Sequence, residues 1–117
     1  MTLYQLILVL IMVESGGDDS AIGDGGMSYG PLQIQQAYID DVNQFTGSSW
    51  VHGDAFDRKK AIIIFRGYMQ RYATKARLGH PPTIEDIARI HNGGPNGYKR
   101  TSTLPYWTKV KKEMLKN

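Results

Sequence analysis

Residues 2–17, Thr2-Leu3-Tyr4-Gln5-Leu6-Ile7-Leu8-Val9-Leu10-Ile11-Met12-Val13-Glu14-Ser15-Gly16-Gly17, decide how the rest of the chain is read. The run Leu6–Val13 is uninterrupted apolar sequence, yet far short of the ~20 residues needed to cross a bilayer. No Lys or Arg precedes it, and it ends in Glu14-Ser15-Gly16-Gly17 without a small-x-small cleavage site, so it is expected to be neither a membrane span nor a recognisable signal peptide. It reads as a buried helix. Thr2 followed three residues later by Gln5 matches a capping box, and Gly16 or Gly17 supplies a left-handed C-cap. Apolar all round, this segment is expected to be the central helix of the fold.

Composition sets the frame around it. With 117 residues, 41% apolar and 21% charged, the chain is expected to form one soluble domain over residues 1–117. A chain of this length buries roughly two-thirds of its unfolded surface, enough for a core without staples. The absence of Cys excludes a disulfide framework, a thiolate zinc site, an iron–sulfur cluster and a Cys nucleophile. His52, His80 and His91 are widely spaced, and no metal or other cofactor is expected. All fourteen Lys and Arg lie from Arg58 onward, while eight of the eleven acids precede them, so the two parts carry formal charges of −8 and +11. Such polarity suits a site with carboxylates on one wall and cations on the other that steers a polyanion; mutual neutralisation within one fold explains it equally well.

Beyond the first helix, residues 15–30 are dense in Gly, Asp and Ser, and Asp24-Gly25 is the strongest hairpin-turn signal in the chain. Met27–Ile34 is expected to form the second strand, irregular at Gly30-Pro31. Helical spacing of Ala37, Tyr38, Val42 and Phe45 predicts a helix over 35–45. A long third helix, capped by Asp54 or Asp57 and carrying Ala61, Ile62, Phe65, Tyr68, Met69 and Tyr72, is expected to end near Gly79. Thr83 with Asp86 opens a fourth through Ile90, and Trp107, Val110, Met114 and Leu115 support a last one after Thr103. The fold class is therefore mainly α, with one small β-hairpin.

Glu14 is the residue most suggestive of chemistry. It ends an apolar helix, and apolar neighbours disfavour a charged carboxylate, which suits a general acid; an ordinary solvated Glu at a helix end is the plainer alternative. Asp24 lies at the hairpin tip in Gly23-Asp24-Gly25-Gly26, where a carboxylate stays solvated and ionised. Together they fit the division of labour in glycoside hydrolysis, one protonated acid and one ionised nucleophile or stabiliser. Asp-Gly is also simply turn chemistry, and Asp18 and Asp19 are rival candidates.

The segments Glu14-Ser15-Gly16, Ser28-Tyr29-Gly30-Pro31-Leu32-Gln33-Ile34, Ala37-Tyr38, Gly47-Ser48-Ser49-Trp50, Tyr68-Met69-Gln70-Arg71-Tyr72-Ala73, Ala88-Arg89-Ile90-His91-Asn92-Gly93-Gly94-Pro95 and Tyr106-Trp107 occur in the order seen in the invertebrate-type (destabilase-like) lysozymes, and the chain resembles that family from about Met12 to about Val110. The resemblance implies a lysozyme-like fold and hydrolysis of the β-1,4 bond between N-acetylmuramic acid and N-acetylglucosamine in peptidoglycan. It implies Glu14 as general acid/base, Asp24 as second carboxylate and a retaining outcome. Carboxyl groups about 5–5.5 Å apart accompany retention, and roughly 6.5–9.5 Å inversion. The chain departs from the disulfide-rich animal members: Tyr29, Val42 and Tyr98 stand where Cys is expected, so packing alone must hold the shape. Action on the wall implies a secreted protein or one delivered by a phage or cell.

Further residues suit a sugar cleft. Gln33 offers an amide, Tyr29, Tyr38 and Tyr98 offer ring faces and hydroxyls, and His91, Asn92 and Gly93 follow a helix where backbone approaches a ligand. Each has a structural alternative: edge strand for Gln33, core packing for the tyrosines, a helix cap with a buried ring for His91. Trp50 and Trp107 are assigned mainly to packing. The expected partner is the peptidoglycan glycan strand, bound by a monomer. Three other readings stand beside this one. A lytic transglycosylase would use one Glu, since Glu-Ser-Gly with Gly-x-x-Gln-Ile also resembles goose-type lysozymes and soluble transglycosylases. A non-catalytic wall-binding module would keep the fold without turnover. A nucleic-acid-binding domain would require Lys and Arg to converge on one face, which no segment shows, so nucleic acid is not an expected partner.

Overall fold

The computed structural model describes residues 1–116, which form two compact units: Glu14–Tyr68, and Met1–Val13 together with the stretch from Met69 onward. The elements in chain order are α1 (Leu3–Ser15), β1 (Ile22–Gly23), β2 (Ser28–Tyr29), α2 (Gln36–Thr46), α3 (Arg58–Tyr72), α4 (Lys75–Leu78), α5 (Ile84–Gly93) and α6 (Leu104–Met114), with short 3-10 turns between several of them. The architecture is mainly α with one two-stranded antiparallel sheet, as the sequence predicts.

Helix α1 starts and stops where its sequence says. Gln5 N donates to Thr2 Oγ1 at 3.1 Å and Thr2 N donates to Gln5 Oε1 at 2.7 Å, the reciprocal capping box. Gly16 and Gly17, at φ +64° and +88°, turn the chain out of the helix. The expectation of burial all round is corrected: Leu6, Ile7, Val9, Leu10 and Ile11 are buried, but Tyr4, Leu8 and Met12 are exposed. These three recur every fourth residue and so share one stripe. The run of apolar residues marked the helix without saying which faces would be covered.

In the unit Glu14–Tyr68, β1 and β2 pair with Ile22 opposite Tyr29 and Gly23 opposite Ser28. The second strand is shorter than the predicted Met27–Ile34. After Tyr29 the chain turns through Gly30–Gln33, and Ile34 folds back to pair with Tyr29. Gly30 is required at that turn: its φ is +81°, and a Cβ would stand 1.9 Å from the Ala55 carbonyl oxygen. Helix α2 runs one residue past the predicted Phe45 and ends at Gly47 in the left-handed region. Asp57, one of the two proposed caps, accepts from Lys60 N at 3.0 Å and opens α3; Asp54 instead accepts from Val51 N at 2.9 Å in the preceding 3-10 turn. Leu32, Ile34, Ile39, Val42, Ala55, Ala61, Ile64, Phe65 and Tyr68 are buried.

The other unit corrects the length of the third helix. It stops at Tyr72, and Thr74 Oγ1 accepts from Arg77 N at 3.2 Å to cap the separate α4, ended by Gly79 at φ +80°. A capping Thr inside a sustained helical pattern restarts the helix, because its side chain competes for the orphan amide. Helix α5 begins at the predicted box: Asp86 N donates to Thr83 Oγ1 at 3.1 Å and Thr83 N to Asp86 Oδ2 at 3.0 Å. It runs past Ile90 to Gly93.

Candidate functional site

Five of the residues singled out from sequence lie in the unit Glu14–Tyr68. Glu14 is half-buried in the last turn of α1. Its carboxylate acts on Tyr38: burial pushes the Tyr38 phenol well above its ordinary value, and the charges of Tyr68, Glu14 and Asp41 push it further. Part of the residue's surface is solvent-accessible, but protein atoms surround the phenol. Tyr38 therefore stays a neutral hydroxyl, able to donate. Its ring stacks on Tyr68 at 3.8 Å between centroids with 8° between planes, so one face is covered.

Asp24 is exposed at the hairpin tip and is one of two non-glycine residues with positive φ among those described, at +51°. The other is Gln33, at +53°. Side chains that hydrogen-bond locally tolerate this region, though it costs free energy relative to ordinary backbone. The Asp24 carboxylate is held by the buried Ser28, whose Oγ lies 2.5 Å from Oδ2. Gln35 Nε2 lies 3.3 Å from the same Ser28 Oγ.

The rival carboxylates have other duties. Asp18 accepts from Ser20 Oγ at 2.8 Å and from Ser20 N at 2.9 Å, and these bonds hold its carboxyl below the usual range. Asp19 pairs with Arg58 Nε at 2.7 Å, and the same guanidinium donates to the Gly17 carbonyl at 2.7 Å. Both fasten the loop after α1.

Tyr29 and Gln33 are engaged within the unit. His52 stacks on the Tyr29 ring at 3.7 Å and Phe56 at 4.6 Å, both nearly parallel. Two rings at those distances would overlap on one face, so Tyr29 is sandwiched, and what it can offer a ligand is an edge and a hydroxyl. His52 Nε2 is fixed 2.8 Å from the Ile34 carbonyl. The Gln33 amide donates to the carbonyls of Gly30 at 3.0 Å and Ala21 at 3.2 Å, bracing the turn between hairpin and α2. Neither His52 nor Phe56 stood out in the sequence, since nothing local announces a ring stack formed across more than twenty residues.

His91, Asn92, Gly93 and Tyr98 lie in the other unit. His91 is buried in the last turn of α5, whereas Asn92 and Gly93 are exposed. Tyr98 is half-buried, with Arg77 and Lys99 over its ring at 6.0 and 5.8 Å. The loop after α5 is built around two arginines that sequence reasoning passed over. Buried Arg89 donates to Thr103 Oγ1 at 2.8 Å, Glu85 Oε2 at 2.7 Å and the Arg100 carbonyl at 2.9 Å. Arg77 donates to the carbonyls of Tyr72 and Pro95 and to Asn96 Oδ1 at 2.8, 3.0 and 3.1 Å.

Comparison with known proteins identifies the family. The family model described as Destabilase matches residues 5–113. A lysozyme of Meretrix lusoria is 42% identical over 88 residues, covering 75% of this chain and 69% of the relative. An invertebrate-type lysozyme of Ruditapes philippinarum is 35% identical over 117 residues, covering 96% and 82%. The crystal structure of Tapes japonica lysozyme superposes with a TM-score of 0.77 at 36% identity, over 92% of this chain and 87% of that one. The chain belongs to the Destabilase family and, within it, stands with the invertebrate-type lysozymes.

Proposed function

We propose that this chain is a muramidase of the lysozyme type, a single catalytic domain over residues 1–117 that cleaves the β-1,4 bond between N-acetylmuramic acid and N-acetylglucosamine of peptidoglycan with Glu14 as general acid/base and Asp24 as second carboxylate. Membership of a family whose curated relatives are named lysozymes supports the activity. The observation that carries the residue assignment is the fixing of Asp24 by a buried hydroxyl, while Asp18 and Asp19 are engaged in fastening a loop.

In this reading Glu14 delivers its proton to the glycosidic oxygen as the bond to the muramic acid C1 breaks. The Asp24 carboxylate attacks or stabilises the cationic C1. Water, deprotonated by Glu14, then adds at C1 and regenerates both carboxyl groups in their starting states. Within the unit Glu14–Tyr68 the residues Tyr29, Gln33 and Tyr38 contribute sugar contacts, and within the other unit His91, Asn92, Gly93 and Tyr98 do so. The protein works as a monomer at the cell wall, on glycan strands, without a cofactor. No helix among the described residues is long and apolar enough to cross a membrane.

Mass analysis of digests of purified peptidoglycan tests this directly. Ordinary reducing muramyl ends are expected; 1,6-anhydromuramyl ends would replace hydrolysis by transglycosylation, and no products at all would leave a wall-binding module. The anomer released first, followed by NMR, is expected to retain configuration. Glu14→Gln is expected to lower lysis by at least about a thousandfold with the thermal transition unchanged, since an amide cannot deliver the proton. Full activity in that variant removes the assignment.

A further inference from the structure

Behind Asp24 the hairpin carries two polar groups that the proposed chemistry has not yet used. Ser28 is fully buried at the start of β2, with its Oγ 2.5 Å from Asp24 Oδ2 and 3.3 Å from Gln35 Nε2. Hydrogen accounting fixes the direction of both bonds. The Gln35 amide nitrogen only donates, so Ser28 Oγ accepts there, and the single hydroxyl hydrogen is left for a group that only accepts, the ionised carboxylate. A buried hydroxyl has no water to turn toward, so its aim is set by these two neighbours.

We infer that Ser28, aimed by Gln35, is a positioning residue for Asp24 in the cleavage reaction. The bond fixes one oxygen of the carboxylate on the protein side and leaves the other for the sugar. The exposed hairpin tip alone would not fix that oxygen: Asp24 sits beside Gly23, Gly25 and Gly26, and its backbone at φ +51° has little intrinsic preference for that state. Ser28 and Gln35 act through Asp24, so this inference rests on Asp24 being the second carboxylate.

The test compares Asp24→Asn, Ser28→Ala and Gln35→Glu with the parent chain, on purified peptidoglycan. Gln35 is exposed, so its variant keeps the fold even if Ser28→Ala disturbs it. Ser28→Ala is expected to lower kcat about tenfold with KM within about twofold. Gln35→Glu places an acceptor where a donor stood, drawing the Ser28 hydrogen away from Asp24; a smaller loss of kcat, again with KM within about twofold, is expected. An unchanged kcat in both variants, with Asp24→Asn inactive, overturns the positioning role and leaves Asp24 in place. So does a loss in Ser28→Ala that is accompanied by a lowered Tm, with Gln35→Glu unchanged. Full activity in Asp24→Asn overturns the underlying reading and this inference with it.

Discussion

Two loop regions, the hairpin with its following turn (residues 22–35) and the stretch from α5 to the start of α6 (residues 84–103), satisfy their polar groups in opposite ways. In the hairpin a buried neutral hydroxyl supports a charged group that remains exposed, Ser28 beneath Asp24. In the other stretch the charge itself is buried: Arg89 is taken up by Thr103, Glu85 and the Arg100 carbonyl, and Thr103 Oγ1 in turn lies 2.7 Å from the Gly97 carbonyl. Among the described residues no buried side-chain nitrogen or oxygen lacks a partner, so neither arrangement leaves a polar group stranded. What differs is which group is left available. A charge consumed by three partners is scaffold, whereas a charge held by one hydroxyl keeps lone pairs for a substrate.

That contrast predicts that substitutions in the second stretch act on stability and those in the hairpin act on turnover. The largest stability effect is expected at Arg89. Arg89→Ala takes the guanidinium away from Glu85 and from the buried Thr103 Oγ1 and opens a cavity beside Thr103; a loss of about 3 kcal/mol is expected in urea unfolding. If Arg89→Ala unfolds like the parent, the scaffold reading of this stretch is broken. Next comes Gly30→Ala, which must place a Cβ against the Ala55 carbonyl at a positive φ. A loss of about 2 kcal/mol is expected, with activity falling further than the stability change accounts for, because the turn carries the chain from Tyr29 to Gln33.

A smaller effect, about 1 kcal/mol, is expected for Asp86→Asn at the capping box of α5. Burial works against the Asp86 charge, but hydrogen bonds from Thr83 and from His80, 2.8 Å away, outweigh it and hold the carboxyl below its usual range. A carboxyl held low in the folded chain stabilises fully above its unfolded value, about pH 3.9, and that contribution disappears as pH falls through the lower folded value. Denaturation followed from pH 6 to pH 2 is therefore expected to show a shallower acid loss in Asp86→Asn than in the parent. An identical acid limb would mean that the cap works without its charge.

Much of this was legible before any coordinates. The capping boxes at Thr2/Gln5 and Thr83/Asp86, the glycine stop after α1, and the Asp24-Gly25 hairpin turn are short-range devices, written in residues close along the chain. Periodicity placed α2 and α6 to within a residue or two, but carried the third helix past Tyr72, because Thr74 reads as one more polar position until its hydroxyl is seen to cap Arg77. The strand proposed over Met27–Ile34 failed in the same way: the Gln33 amide, bonded to Ala21 and Gly30, stabilises a turn that alternation cannot reveal. Of the site, the position of Glu14 at a helix end and of Asp24 at a hairpin tip was readable. The support from Ser28 and the sandwich around Tyr29 were not.

The sequence by itself determined where the capping boxes start α1 and α5, which carboxyl residues stand at element ends, and the family to which the chain belongs, because each of these is set by neighbours along the backbone or by ordered strings of residues. Only the tertiary structure decided which aspartate is bound by a guanidinium and which by a hydroxyl, which tyrosine faces are covered, and which arginine is buried. Those outcomes depend on partners as far apart as Asp19 and Arg58, brought together by folding, and a hydrogen bond or ring stack of a few ångströms has no counterpart in residue order.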